Sequence, residues 1–130
     1  MSYTIKVLIT GLVVVTFDVI ASLVSRTFQI EYVYFVLISL ILYILIGFWG
    51  AFHRSFVYGM LLGAIAGLAD STLGWFASRM IGPYIPPKVP PANLSLIVTT
   101  VLMVTILSLA CGSVGSLLCM LLRQTRPADA

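Results

Sequence analysis

The sequence predicts an all-α fold, an integral membrane bundle of four transmembrane helices, and three observations carry that prediction. The 130 residues are 61% hydrophobic and only 8% charged, with a mean hydropathy of +1.15. A soluble domain carries about 25% charged residues, so this chain has too little polar surface to coat a water-facing fold. Four apolar stretches each reach the roughly 20 residues that a helix needs to cross the hydrocarbon core, and the breaks between them are short, polar or rich in proline. The chain reads as one transmembrane domain, with no room for a second.

The first stretch runs from about Ile5 to Val24. Lys6 precedes an apolar run there, as in a signal peptide. Asp18 interrupts that run, however, and its length suits a span better than a short secretory core, so it reads as a retained first helix. A polar joint, Ser25 to Glu31, leads to the second stretch, about Tyr32 to Phe52. His53-Arg54-Ser55 is a very short turn, which forces the second and third helices to lie antiparallel and adjacent. The third stretch covers about Phe56 to Ala77. The connection from Met80 to Asn93 contains IGPYIPPKVPP, whose five prolines exclude a regular helix and favour an extended strap along the membrane surface. The fourth stretch, about Leu94 to Leu122, is too long for an upright span and should tilt or protrude. Residues 123–130 form a short polar tail.

The net charge is +3, and the seven basic residues sit at the stretch ends rather than in a cluster. That pattern suits anionic lipid headgroups and topology signals, and it argues against a nucleic-acid partner. Four spans place both termini on one side. Lys6, Arg54, Arg123 and Arg126 then share that side, against Arg26, Arg79 and Lys88 opposite, so the positive-inside rule favours cytoplasmic termini by one charge.

The two halves correspond. Gly11 comes seven residues before Asp18 and Gly63 seven before Asp70, and a Ser-Arg pair, Ser25-Arg26 or Ser78-Arg79, follows each carboxylate. Each half ends its second span in an arginine, Arg54 or Arg123. This suggests a duplicated two-helix hairpin, repeated in parallel about an axis along the membrane normal. Helices one and three would then run the same way, with Asp18 and Asp70 facing each other.

Asp18 and Asp70 are the only carboxylates inside the apolar stretches. A carboxylate at the bilayer centre costs roughly 2.5–3.5 kcal/mol on insertion scales, so two of them require a reason. They are the candidate proton- or ion-binding residues. The competing explanation is that each fixes helix register or snorkels outward toward Arg26 or Arg79. Gly59, Gly63, Gly67 and Ser71 form a stripe of small residues at every fourth position, which lets a neighbouring backbone approach closely. Ser108, Gly112 and Ser116 offer a matching face on the fourth helix, and Cys111, Gly115 and Cys119 form a second small face beside it. Packing within the chain is the first expectation for these stripes, and two small faces on one helix leave one available for a partner.

Other chemistry is sparse. Cys111 and Cys119 are separated by about 12 Å along a helix, beyond disulfide reach. His53, the only histidine, sits at a turn with no second nitrogen or thiolate ligand at useful spacing, so no metal or haem site is expected, and no cofactor. Trp49, Phe52, Phe56 and Tyr58 bracket one interface, and Tyr32, Tyr34, Trp75 and Tyr84 the other, as aromatic belts. Phe17-Asp18, Gly67-Leu68-Ala69-Asp70 and Pro91-Ala92-Asn93-Leu94 resemble, in order, the motifs of intramembrane aspartyl proteases. Each departs at one position, most seriously at Ala69 where that pattern has glycine, and that family encloses its acids with more than four helices. No HExxH, P-loop or GxSxG turn is present, and no catalytic residue is assigned.

Three functional classes follow. The first is a non-enzymatic accessory or structural subunit, docking in the lipid bilayer as a homo-oligomer or with other membrane subunits through its small-residue faces. The second is a small proton- or cation-coupled transporter or channel using Asp18 and Asp70. An enzyme or lipid-handling protein is the third.

Overall fold

The computed structural model describes residues 2–88 and 93–125. Residues 89–92 of the proline-rich connection, including Pro90 and Pro91, and the tail from Arg126 onward lie outside the described residues. Among those described, all regular structure is helical: α1 (Tyr3–Phe28), a 3-10 turn (Tyr32–Phe35), α2 (Val36–His53), α3 (Phe56–Ala69), a π-helical turn (Asp70–Gly74), α4 (Trp75–Ile81) and α5 (Leu94–Gln124). The π turn joins α3 to α4 in one continuous rod, so four helices are long and apolar enough to cross a membrane.

Local chemistry sets the ends. Ser2, Ser55 and Asn93 cap α1, α3 and α5, their side-chain oxygens accepting from Ile5, Tyr58 and Leu96 N–H at 3.4, 3.3 and 2.8 Å. The Ser25-Arg26 pair does not end α1, which continues to Phe28. It stops at Gln29, whose left-handed backbone (φ 56°) turns the chain. The third span likewise passes Ser78-Arg79 and ends before Gly82, also left-handed at φ 73°. The joint between the first two spans therefore shrinks to a few residues and a 3-10 turn.

The outer faces of the helices expose apolar side chains, Leu12, Leu37, Leu102 and Ile106 among them, as suits helices that face lipid. Packing between helices relies on small residues. A Cβ on Gly63 would lie 2.7 Å from Gly112 Cα and 2.9 Å from Ser108 O, so α3 and α5 touch backbone to backbone. Gly59 meets Ser116 and Gly67 meets Ser108 along the same seam. On its other small face α5 meets α2: Gly115 lies against Ile44 and Phe48, Cys119 is buried, and Ser116 Oγ donates to Gly47 O at 3.3 Å. Helices α2, α3 and α5 thus form a tight trio around Tyr43, Ile46, Tyr58, Leu62 and Ala66.

Helix α1 is placed differently. It packs on α3, the π turn and α4, touches α2 only slightly, and makes no contact with α5 among the described residues. The two hairpins of the sequence correspondence are therefore packed unequally, closely for α3 and α5 and splayed for α1 and α2. The buried face of α1 is Lys6, Thr10, Val14, Asp18, Ala21, Ser22 and Ser25, a stripe of mostly small or polar side chains at helical spacing.

The two ends of the bundle differ. At the turn end, Tyr3 packs edge-on to Tyr58 (5.7 Å), Lys6 Nζ lies 5.4 Å from the Tyr58 ring and 5.9 Å from the Trp49 ring, and Arg123 donates to Phe52 O. At the strap end, Arg26 Nη1 donates to Ile81 O at 3.0 Å and Tyr84 N–H to Ser25 Oγ at 3.1 Å. These two bonds tie the start of the proline-rich strap to the end of α1.

Candidate functional site

The carboxylates converge. Asp18 belongs to the buried stripe of α1, ten residues before its end and so about 15 Å inside the strap end. It is 3% exposed. Asp70 opens the π turn. A π turn inserts an extra residue into the helical circuit, which leaves carbonyls short of their usual partners. Hydroxyls fill the gap: Ser71 Oγ donates to Gly67 O at 2.8 Å and Thr72 Oγ1 to Leu68 O at 2.6 Å. The Asp-Ser-Thr sequence thus makes the irregular turn possible and sets the angle at which Asp70 leaves the rod.

Gly74 closes the π turn and lets the two acids meet. A Cβ there would overlap Asp18 Oδ2 and stand 3.4 Å from Asp70 Oδ1. Both carboxyl groups thus stand against one point, the missing Gly74 Cβ, which puts Asp18 Oδ2 and Asp70 Oδ1 no more than about 5 Å apart. Each outer oxygen has its own tyrosine. Tyr32, from the 3-10 turn, donates to Asp18 Oδ1 at 2.9 Å, and Tyr43, from α2, donates to Asp70 Oδ2. Tyr32 Oη also shares a hydrogen bond of 3.2 Å with Ser78 Oγ of α4, in which either hydroxyl can donate. The result is a line of polar groups, Ser78–Tyr32–Asp18 and Asp70–Tyr43, whose two parts come together at Gly74 and which takes in every helical segment but α3 and α5.

This line borders a cavity of about 190 Å³ between α2 and α5, walled by Phe35, Leu40, Trp75, Val104 and Leu107 with the acids at one side. The neighbouring cations are engaged elsewhere. Arg26 binds Ile81 O, and the Arg79 guanidinium lies 4.8 Å from the centre of the Trp75 ring. The carboxyl groups turn toward each other and the tyrosines rather than outward to the arginines. Among the described residues, no three His, Cys, Asp or Glu side chains come together as a metal would need. His53 Nδ1 pairs with Trp49 O at 2.9 Å, exposed at the turn end and far along the bundle from the acids. Cys111 and Cys119 are unpaired thiols on α5.

Gly59, Gly63, Gly67, Ser108, Gly112 and Ser116 stay at the α3–α5 seam, while Ser71 serves both the π turn and the cavity wall. The partners of the acids were not evident from sequence. Tyr32 reads as a belt residue and Ser78 as a boundary marker, yet both belong to the hydrogen-bond line. Tyr43 had a signal of its own, because Ser39 and Tyr43 carry the only hydroxyls in α2. Gly74 had none, since its role depends on a side chain from another helix. Comparison with known protein families, curated proteins and solved structures gave no significant match.

Proposed function

We propose that this chain is a small multi-pass membrane transporter whose Asp18 and Asp70 bind and release a proton as a coupled pair. The observation supporting it most is the mutual approach of the two acids inside a cavity at membrane depth, each with one oxygen held by a tyrosine. Two like charges at such close range, away from water, repel strongly, so a proton held between them accounts for the geometry. Losing that proton to a solute or to water changes the charge at the joint of α1 with the π turn. Such a change can bias one helix arrangement over another. Single π turns inside α-helices occur frequently at functional sites.

The alternative, an accessory or structural subunit, needs only the small-residue stripe. Gly115 and Cys119 pack against α2 or are buried within the chain, so the second small face of α5 is not the surface such a subunit would offer a partner. Termini on the cytoplasmic side belong to the same proposal, through the positive-inside bias. The test is infrared titration of the nanodisc-embedded protein. A pH-dependent carboxyl C=O band that is altered in Asp18→Asn and in Asp70→Asn is expected. No pH-dependent carboxyl band in the wild type would refute the proposal.

A further inference from the structure

A second cavity, of about 220 Å³, lies at the strap end beside the first. Arg79, Pro83, Ile85, Leu96 and Ile97 wall it, and Tyr32, Ser71, Trp75, Ser78 and Thr100 are common to both cavities. Only two of these shared residues join the hydrogen-bond line to the acids: Tyr32, which holds Asp18 Oδ1, and Ser78, which holds Tyr32. On the opposite side the way is closed. Val14, one turn from Asp18, and Leu62 and Ala66, below Asp70, are fully or almost fully buried and offer no polar atom beyond the backbone.

We infer that the strap-end cavity is the aqueous port through which protons reach the carboxylate pair, with Ser78 and Tyr32 as the relay. The inference rests on the proton-binding role proposed above. One cycle moves one proton and changes no bond to carbon. The Ser78 Oγ–H proton passes to Tyr32 Oη as the Tyr32 hydroxyl proton passes to Asp18 Oδ1, and hydronium in the port reprotonates Ser78. Such a transfer needs hydrogen bonds already in line, and distances of 2.9 and 3.2 Å supply them. The charged and titratable groups around the relay are Asp18 from α1, Tyr43 from α2, Asp70 from the π turn and Arg79 from α4. Of these, Arg79 alone lines the port. The start of the port's roof is held by the strap bonds, Arg26 to Ile81 O and Tyr84 to Ser25.

The test is the rate of carboxyl protonation after a photoacid pH jump, followed by the infrared C=O band in nanodiscs. Ser78→Ala and Tyr32→Phe are expected to slow it about tenfold or more. Ser78→Thr, which keeps the hydroxyl, should restore the wild-type rate, a recovery that a packing role for Ser78 would not require. Ser39→Ala, which removes a hydroxyl of α2 that bonds only Phe35 O and lies outside the port, should leave the rate near wild type. If Ser78→Ala and Tyr32→Phe protonate as fast as wild type, or Ser39→Ala slows the rate as much as they do, the port assignment is wrong while the proton pair stands. If the wild-type band does not respond to pH at all, both fall together. Should Tyr32→Phe fail to fold, the Ser78 pair of variants decides alone.

Discussion

Replacing Gly74 with alanine adds one methyl group at the point where α1 and the π turn meet. The Cβ would occupy the place of Asp18 Oδ2, with Asp18 Cγ 2.9 Å away and Asp70 Oδ1 at 3.4 Å. The obstruction is a carboxyl group pinned by Tyr32, so Asp18 must rotate, give up that hydrogen bond and separate from Asp70. Overpacking costs about 1–3 kcal/mol, and breaking a hydrogen bond between membrane helices adds about 0.6–1.7 kcal/mol. Glycine to alanine in a helix returns about 1 kcal/mol of propensity. The net expectation is a loss of about 0.6–3.7 kcal/mol. Gly11→Ala is the control: it lies on the same helix as Asp18, but nothing stands within 4 Å of its Cβ. That substitution should be neutral or stabilise by up to about 1 kcal/mol. Thermal unfolding in one detergent, with the infrared carboxyl band of each variant, measures both effects. If Gly74→Ala is as stable as Gly11→Ala and its carboxyl band matches wild type, the acids do not meet at Gly74.

Further outcomes follow from other parts of the bundle. Gly112→Ala forces the α3–α5 seam apart, since its Cβ would sit 2.9 Å from Gly63 Cα. A loss of about 1–3 kcal/mol in thermal unfolding is expected, and an unchanged midpoint would contradict the seam. Lys6→Met keeps the apolar stem but removes the ammonium from the Trp49 and Tyr58 rings. It should lower stability by about 0.5–2 kcal/mol and alter Trp49 fluorescence, and a rise in stability would count against the cation–π interaction. Tyr43→Phe should cost about 0.5–1.5 kcal/mol and shift the Asp70 carboxyl band, and a band identical to wild type would show that the hydroxyl does not hold Asp70.

Element type and number were legible because hydrocarbon imposes a simple rule. Every backbone polar group must be satisfied inside a helix, so apolar runs of sufficient length become spans, and the short His53-Arg54-Ser55 turn dictates adjacency. The small-residue stripe on α3 and its counterpart on α5 were likewise written into the one-dimensional spacing. The helix ends were less so. Ser25-Arg26 and Ser78-Arg79 look like boundaries, but a serine or arginine is compatible with a helix near the interface, and the chain turns only where Gln29 and Gly82 adopt left-handed backbone.

The sequence by itself determined that two acids would be carried into the membrane at corresponding places. It could not show what holds them. Spacing along one helix specifies its faces but says nothing of which residue on another helix comes opposite. Tyr32, Tyr43 and Ser78 lie 14, 27 and 46 residues from the groups they bind, and their hydrogen bonds arise only when separate helices pack. The π turn at Asp70–Gly74 is likewise a tertiary choice, taken where Ser71 and Thr72 can satisfy the carbonyls it frees and where a glycine lets Asp18 approach. Tertiary packing also spent both small faces of α5 within the chain. It left α1 splayed from α2, because α1 packs instead on α3, the π turn and α4.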